Sequence, residues 1–327
     1  MMLTKEKYPL VSVCVPVYNV ERYVARCVCS LMEQTYLNVE YIFVDDCSSD
    51  ESMSVLLSVL SNYSSRQEDV RIIHHSHNRG LAAARNSAVE AANGQFIMHV
   101  DSDDWLENTA IERLMNRQQE TGADIVSGNA IMHYSDHEEL LVEPNYADKE
   151  AMLLNTLELT LDHVLWRRLI RTSLYKDNCI EAVEGANLGE DHYTLPRLIF
   201  FANSVAKVNE IVYHYNRENE NSYCNQKDMW YKYHADMAAI NILHRFFLKN
   251  GSRYLSKLEE IKQRYIADMQ RVAMVMRDKP LFYHIIEDNS QSDVPFGFLT
   301  QNYYFCQLKR LLQKRLKRCF IMNRSNN

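Results

Sequence analysis

The stretch FIMHVDSDDWL, residues 96–106, carries a mostly apolar run directly into a cluster of carboxylates. Residues 96–100 have the composition of a buried strand, and Asp101, Asp103 and Asp104 follow at once. Carboxylates this close repel one another, which is tolerable where water or a bound cation screens their charge. The stretch therefore predicts a strand that leaves the core at a strongly charged edge.

The first half of the chain alternates short apolar runs with segments of helical periodicity. The predicted strands are 10–17, 39–46, 70–75, 95–100 and 123–134, and the predicted helices are 20–34, 50–63, 81–93 and 107–121. This alternation is typical of βαβ units in a mostly parallel α/β sheet with helices on its faces.

The second half is less regular, and its pattern changes to long helices near a predicted boundary at 222–227. We predict a strand or short helix at 163–175, a helix at 189–203, a pair of short strands at 204–219, and long helices at 228–249, 252–277 and 301–320.

Two of the predicted strands end in acids, Asp45 and Asp46 in one case and Asp101 and Asp103 in the other. Ligands of open parallel sheets bind beyond the carboxyl ends of the strands, so these acids belong at one edge. Mg²⁺ and Mn²⁺ prefer oxygen ligands, and Mg²⁺ is usually held by one or two carboxylates together with substrate phosphates. The DxD spacing suits such a site, although a DxD tripeptide by itself is more often a solvated turn.

The composition of the 327 residues, with 46% apolar and 24% charged, is that of an ordinary globular protein. The net charge of −7 gives no support for a nucleic-acid partner. The eight cysteines form no CxxC pair and no zinc spacing with histidine. No secretory h-region and no apolar stretch of about 20 residues is present. We therefore expect a reduced, cytoplasmic protein.

Four blocks of the sequence carry a family resemblance. They are VSVCVPVYNVERYVARCVCSLMEQTY (11–36), VDDCSSDES (44–52), HNRGLAAARNSAVEAANG (77–94) and FIMHVDSDDWLE (96–107). In order and spacing they resemble family 2 glycosyltransferases, whose catalytic domain has the GT-A nucleotide-sugar fold. The resemblance continues more loosely through VLWRRLIRTSLY, GEDHYTLPRL and YHYNRENENSYC to about residue 224.

The resemblance implies a GT-A catalytic domain at 1–224 and a helical C-terminal region at 225–327. Within the catalytic domain, residues 1–130 would be the nucleotide-sugar half and 131–224 the acceptor half. The expected fold is a Rossmann-like, mostly parallel sheet flanked by helices, with a helical C-terminal extension.

The resemblance also assigns site residues, position by position. Those expected to bind the nucleotide and its sugar are Pro16, Tyr18, Asn19, Glu21, Asp45, Asp46, Gly80, Arg85, Asp101, Ser102 and Arg217. Asp101 and Asp103 would form the metal motif, with Asp103 the direct ligand, and Asp191 in the GED tripeptide would be the catalytic base.

The activity implied is inverting transfer of a sugar from a nucleotide diphosphate donor, with UDP favoured and Mn²⁺ or Mg²⁺ as the divalent cation. The acceptor would be a saccharide or lipid-linked saccharide in surface or exported polysaccharide synthesis. The cation would stabilise the departing diphosphate, and Asp191 would take the proton of the attacking hydroxyl. One base without a carboxylate nucleophile gives inversion.

Several positions depart from the family pattern or allow two interpretations. Cys47 stands where the family commonly has glycine, and Arg167 and Arg168 stand where Lys- and Leu-rich variants are usual. Glu190 fits either a helix-start acid or a base, and Trp166 fits either the core or a wall of the acceptor site. Histidines 74, 75 and 77 crowd the end of the third strand, where surface histidines are commoner than metal ligands.

Other functions need features that are absent or unmatched. A sugar-phosphate nucleotidyltransferase would need a glycine-rich basic loop after the first strand, whereas VYNVERYV contains no glycine. A Rossmann dehydrogenase would need G-x-G-x-x-G there. A catalytically degenerate relative that binds nucleotide or sugar stays open as an alternative.

The segment LKRLLQKRLKRCF, residues 308–320, is a basic amphipathic helix by its spacing. Such a helix either lies on an anionic membrane surface or packs on its domain with a solvated basic face. The first alternative would place the protein peripherally on the cytoplasmic membrane face. The sequence does not determine the oligomeric state.

Overall fold

The computed structural model describes residues 8–158, 163–219, 222, 228–276 and 278–288. The strands are β1 Val11–Val17, β2 Val39–Asp45, β3 Val70–His74, β4 Phe96–His99, β5 Trp105–Leu106, β6 Ile125–His133, β7 Glu138–Leu141, β8 Arg168–Arg171 and β9 Val205–Asn216. The α-helices are α1 Val24–Met32, α2 Ser52–Leu60, α3 Leu81–Ala91, α4 Ala110–Thr121, α5 Lys149–Leu157, α6 Thr172–Lys176, α7 Glu190–Phe201, α8 Met229–Asn250, α9 Leu255–Met276 and α10 Lys279–Asp288.

The described residues fall into two compact units. The first lies within Met1–Leu154 and His163–Lys227, and the second within Asn155–Asp162 and Asp228–Asn327. The second unit is helical and buries one side of α8 and α9, where the hydroxyl of Tyr265 donates to Asp236 Oδ2 at 2.9 Å. Among the described residues, no helix combines the length and the apolar character needed to cross a membrane.

One sheet organises the first unit, in the order β3-β2-β1-β4-β8-β6-β9-β5, with β7 beside β6. Strands β1 to β4 pair in parallel, which confirms the predicted βαβ half. The second half is mixed, because β8 runs antiparallel to both β4 and β6 while β9 runs parallel to β6. The α/β class expected from the sequence is therefore confirmed.

The core lies where β1 and β2 are covered by helices. All seven residues of β1 are buried, and α1 buries an apolar stripe that includes Val24, Val28 and Leu31 against the sheet. Burying an aliphatic side chain of this size contributes about 1.5–3 kcal/mol relative to exposure. This packing gives the loops at the carboxyl ends of the strands a rigid base.

The predicted pair of short strands at 204–219 is wrong, because β9 is a single strand. The polar residues Asn209 and Glu210 resemble a turn in the sequence, but they are exposed while the strand continues. The register with β6 shifts around Asn129, whose side-chain amide donates to the carbonyl of Asn209 at 2.5 Å. The predicted helix at 301–320, including 308–320, lies outside the described residues.

Candidate active site

The loop after β2 uses its two acids differently. Asp45 accepts a hydrogen bond from the backbone N–H of Ser48 at 2.9 Å and lies 3.0 Å from His74 Nδ1. The buried Asp46 accepts from the N–H groups of Arg79 and Gly80 at 2.8 and 2.7 Å, and it also lies against His75. Asp46 thus holds the backbone that enters α3.

The loop after β1 is braced against the loop after β2. Asn19, with a φ of 52°, accepts a hydrogen bond from the N–H of Ser49 at 2.9 Å. Glu21 accepts from the N–H of Glu51 at 3.1 Å. Two of the predicted nucleotide contacts therefore support loop structure, whereas Tyr18 is exposed by 45% and Pro16 is buried inside β1.

A buried guanidinium joins the strand-end acids to the GED tripeptide. Arg85, on α3, places Nη2 2.6 Å from Asp101 Oδ1 and Nη1 2.8 Å from Asp191 Oδ1. The same Nη1 also pairs with Glu190, the first residue of α7. Gly80, at φ 89°, lets the chain turn sharply into the helix that carries Arg85. Three carboxylates from two distant segments thus share the one guanidinium of Arg85.

This cluster has an excess of negative charge in a buried place. Burial raises the pKa of Glu190 to about 8, against the attraction of Arg85 and together with the repulsion of Asp191. Burial also raises the pKa of Asp191, with Arg85 again opposing. Two adjacent carboxyls with raised pKa values titrate as a pair. A carboxylate with a raised pKa is more basic than an exposed one.

The DSDD turn is fastened to the end of β9. Asp103 Oδ2 accepts a hydrogen bond from the side-chain amide of Asn219 at 2.7 Å. Asp104 is fully buried and accepts from the hydroxyl of Tyr213 and the N–H of Asn216, both at 2.7 Å. Asp104 is therefore a structural anchor, which leaves Asp101 and Asp103, with the buried Ser102 between them, at the edge.

The carboxylates of this edge suit a cation that substrate phosphates complete. Burial and the neighbouring charge of Asp101 raise the pKa of Asp103 to about 6, so a cation there would relieve unfavourable negative potential. Within the described ranges, no group of three or more His, Cys, Asp or Glu side chains could hold a metal ion. Two carboxylates plus phosphate oxygens are, however, a usual arrangement for Mg²⁺.

Two further candidate residues, Arg217 and Trp166, contact aromatic rings. Arg217 donates from Nη1 to the hydroxyl of Tyr215 at 3.1 Å, and its guanidinium carbon is 5.9 Å from the centre of the Tyr134 ring. Trp166 is buried and stacks on Tyr213 at 4.6 Å between ring centres, so it belongs to the core and not to an exposed wall.

Sequence reasoning missed three residues that hold the acids in place, Tyr213, Asn216 and Asn219, and one that supports the start of α3, Asn187. The side chain of Asn187 accepts from the N–H of Ala82 at 3.2 Å and so completes the start of α3. A signal existed only for Tyr213, Asn216 and Asn219, because they lie in the segment 204–219 that is predicted to form strands. Nothing in the local pattern paired them with acids about a hundred residues away.

The backbone at Cys47 has a conformation that favours glycine, the residue that the family resemblance leads one to expect there. Cys47 is exposed and has a φ of 61°, a region that favours glycine over residues with a Cβ. We expect Cys47→Gly to leave the free energy of unfolding close to that of the parent, since relieved strain offsets the added freedom of the unfolded chain. Cys47→Val should be clearly destabilising, because β-branched residues resist this conformation.

Urea unfolding of the three proteins measures these differences. Cys29→Gly is the matched control, since Cys29 lies inside α1 and glycine in a helix interior costs about 1 kcal/mol. Equal losses for Cys47→Gly and Cys29→Gly would contradict the strain argument.

Comparison with known proteins agrees with this geometry. Residues 12–176, about half of the chain, match Glycosyl transferase family 2, and the chain belongs to that family. EpsH of Bacillus subtilis is 33% identical over 214 residues, which are 63% of this chain and 60% of EpsH. The chain thus spans about three fifths of the length of this curated relative.

Two solved structures share the fold. Staphylococcus aureus TarS 1–349 in complex with UDP-GlcNAc aligns with a TM-score of 0.57 at 20% identity, covering 89% of this chain and 94% of that one. The mannosyltransferase PcManGT from Pyrobaculum calidifontis, in complex with GDP-Man and Mn²⁺, aligns with a TM-score of 0.56 at 13% identity, covering 94% and 81%. The fold is therefore of the GT-A type, as the sequence predicted.

Proposed function

We propose that this protein is an inverting glycosyltransferase that moves a sugar from a nucleotide diphosphate donor, with UDP favoured, to a saccharide or lipid-linked saccharide. The observation that carries the proposal is the Arg85 bridge. Through it, Asp101 of the DxD motif and Asp191 of the GED tripeptide lie against one guanidinium, although 90 residues separate them. A leaving-group site and a proton acceptor are thereby neighbours.

The residues would divide the work as follows. The loops around Asn19 and Asp45 would receive the base and ribose, with Tyr18 exposed beside them in the sequence. Asp191, held by Arg85 on one oxygen and by the N–H of Leu165 on the other, would accept the proton of the acceptor hydroxyl. Proton removal by one base, with no covalent intermediate, gives inversion at the anomeric carbon.

A divalent cation, Mn²⁺ or Mg²⁺, would be held by Asp103 and Asp101 and would neutralise charge on the departing diphosphate. Arg85 contributes a fixed positive charge beside Asp101 whether or not the cation is bound. The Mn²⁺ in the PcManGT complex supports this part of the proposal, and the UDP-GlcNAc in the TarS complex supports the UDP preference.

The wider setting is also proposed. We assign catalysis to 1–224 and a helical accessory role to 225–327. The protein would act in the cytoplasm, in the synthesis of a surface or exported polysaccharide. The basic segment 308–320 would lie against the membrane face, and its net positive charge is consistent with that contact.

Thermal unfolding with UDP, GDP, CMP or dTDP, each with Mn²⁺, Mg²⁺ or EDTA, tests the nucleotide site. One nucleoside diphosphate should raise the melting temperature only with metal, because a ligand at a hundredfold excess over Kd adds about 2.7 kcal/mol of stability. Asp103→Asn should abolish the shift, whereas Asp177→Asn, at an exposed acid, should not.

Absence of any nucleotide shift would overturn the proposal. A metal-dependent shift without turnover of any donor sugar would instead identify a degenerate relative that binds nucleotide. Turnover with product of inverted configuration, read by NMR of the anomeric proton, would establish the reaction.

A further inference from the structure

Two adjacent arginines that depart from the family pattern are among the most buried side chains of the first unit. Arg167 and Arg168 are each 0% exposed, and Glu143 is 1% exposed. Glu143 Oε1 lies 2.6 Å from Arg168 Nη1, and its Oε2 lies 2.9 Å from Arg167 Nη2. Burial acts to raise the pKa of Glu143, but the guanidinium groups hold it below its ordinary value. Glu143 is therefore a buried carboxylate held charged by two cations.

The Arg168 side chain shapes the segment that precedes it. Its Nε donates to the carbonyl of Val164 at 2.8 Å, and its Nη1 donates to the hydroxyl of Ser127 on β6. The Arg168 guanidinium thus ties the two ends of residues 164–168 together and attaches them to β6.

The same segment has a second attachment to β6. The carbonyl of Arg167 accepts from the N–H of Gly128 at 3.0 Å. Arg167 has a φ of 63°, which costs a residue with a Cβ about 1–2 kcal/mol. Strained backbone of this kind persists only where the surroundings impose it. The contacts of Glu143, Ser127 and Gly128 are those surroundings.

This segment reaches the carboxylate of Asp191. The backbone N–H of Leu165 donates to Asp191 Oδ2 at 3.2 Å, while Arg85 occupies Oδ1 at 2.8 Å. A further contact joins the segment to α7, since the rings of His163 and His192 lie 3.6 Å apart between centres. The orientation of Asp191 therefore depends on where residues 163–168 lie.

We propose that the buried Arg168–Glu143 pair is a positioning device for Asp191, acting through the Leu165 N–H. The inference rests on the proposed function, in which Asp191 is the base. Neither member of the pair contacts Asp191 directly, so both are positioning residues. Displacing a reacting group by about 1 Å can cost about 100-fold in rate, which gives such a device a measurable effect.

The test uses Glu143→Gln and the milder Arg168→Lys, which keeps the charge but loses the donor to Val164. We expect kcat to fall about 10- to 100-fold with Glu143→Gln and less with Arg168→Lys. The KM for the donor and the metal-dependent nucleotide shift should be unchanged, because Asp45, Asp101 and Asp103 contact neither residue. Glu120→Gln, which removes an exposed pair with Arg117, is the matched control and should change nothing.

The pH dependence distinguishes positioning from general destabilisation. A hydrogen bond from Leu165 favours the charged form of Asp191, so its loss should raise the pKa of Asp191 further. The acid limb of the rate profile should then move to higher pH in both variants. Carbon-13 NMR titration of the Asp191 carboxyl, assigned with Asp191→Asn, reads the same shift without turnover.

The two proposals fail in different ways. Variants that retain the nucleotide shift but show wild-type kcat, rate profile and Asp191 titration would overturn the positioning device and leave the transferase proposal intact. Absence of turnover in the wild-type protein would overturn the transferase proposal, while the carboxyl titration would still decide whether Glu143 and Arg168 control Asp191.

Discussion

Replacement of Asp191 with asparagine is expected to lower kcat about 1,000-fold, with little change in nucleotide binding. A positioned general base typically contributes 10²–10⁴-fold, and the amide cannot accept the proton of the acceptor hydroxyl. Among the described residues, the nucleotide loops and the DxD residues make no hydrogen bond to Asp191, so the metal-dependent thermal shift should be retained. Steady-state kinetics and nucleotide titration of the same preparation measure both effects.

The Asp191→Asn variant should also fold normally. Arg85 retains Asp101 and Glu190, and removing one of two adjacent buried carboxylates relieves the repulsion that helps raise the pKa of Glu190. Its melting temperature at neutral pH should equal or exceed that of the parent. Asp177→Asn at the exposed end of α6 is the control. Wild-type kcat in Asp191→Asn would assign the base to another group.

Replacement of Arg85 with methionine is expected to destabilise the first unit by about 3–5 kcal/mol at slightly alkaline pH. Arg85 is 3% exposed, and its guanidinium is the shared partner of Asp101, Glu190 and Asp191. Without it, Glu190 and Asp191 have folded pKa values still further above their unfolded ones. Their contribution is favourable at low pH and is lost as the pH rises, so the loss caused by Arg85→Met should shrink towards about pH 5.

Glu190→Gln should change the free energy of unfolding in the opposite direction, so that the variant is more stable than the parent at alkaline pH. The folded pKa of Glu190, about 8, lies above its ordinary value of 4.5, so its contribution to stability is full at pH values below 4.5 and is lost as pH rises through 8. Glutamine does not ionise, and this variant should therefore gain on the parent under alkaline conditions. Urea unfolding from acid to alkaline pH measures both variants. A penalty for Arg85→Met that is independent of pH would mean that lost packing, and not charge, accounts for it.

The strands of the first half were predictable because their apolar runs are short and are separated by helical periodicity. Observed β1, β2, β3 and β4 lie within the predicted segments. Elements that depend on pairing were not predictable. The two residues of β5 have too little local pattern to indicate a strand, and β9 contains a polar pair that mimics a turn. Both form because a neighbouring strand supplies their hydrogen bonds.

The burial of charged residues, like the strands that depend on pairing, was not predictable from the local sequence. Arg167 and Arg168 fall in a segment that the sequence describes only as a strand or short helix with basic groups. Their burial is acceptable because Glu143, about 25 residues earlier, supplies the counter-charge. A single buried charge without a partner would be costly. Only the tertiary structure shows that these arginines have a partner and can therefore be buried.

The sequence by itself determined that acids end β2 and β4 and that these ends meet at one edge, since hydrophobic periodicity defines the strands and parallel strands share an edge for their carboxyl ends. It did not show which neighbours hold Asp46 and Asp104. The tertiary structure encloses both in hydrogen bonds from backbone N–H groups and, for Asp104, from the Tyr213 hydroxyl as well. Local periodicity specifies the face on which a residue lies, whereas the partner of a buried charge depends on which distant segments the packed chain brings within a few ångströms.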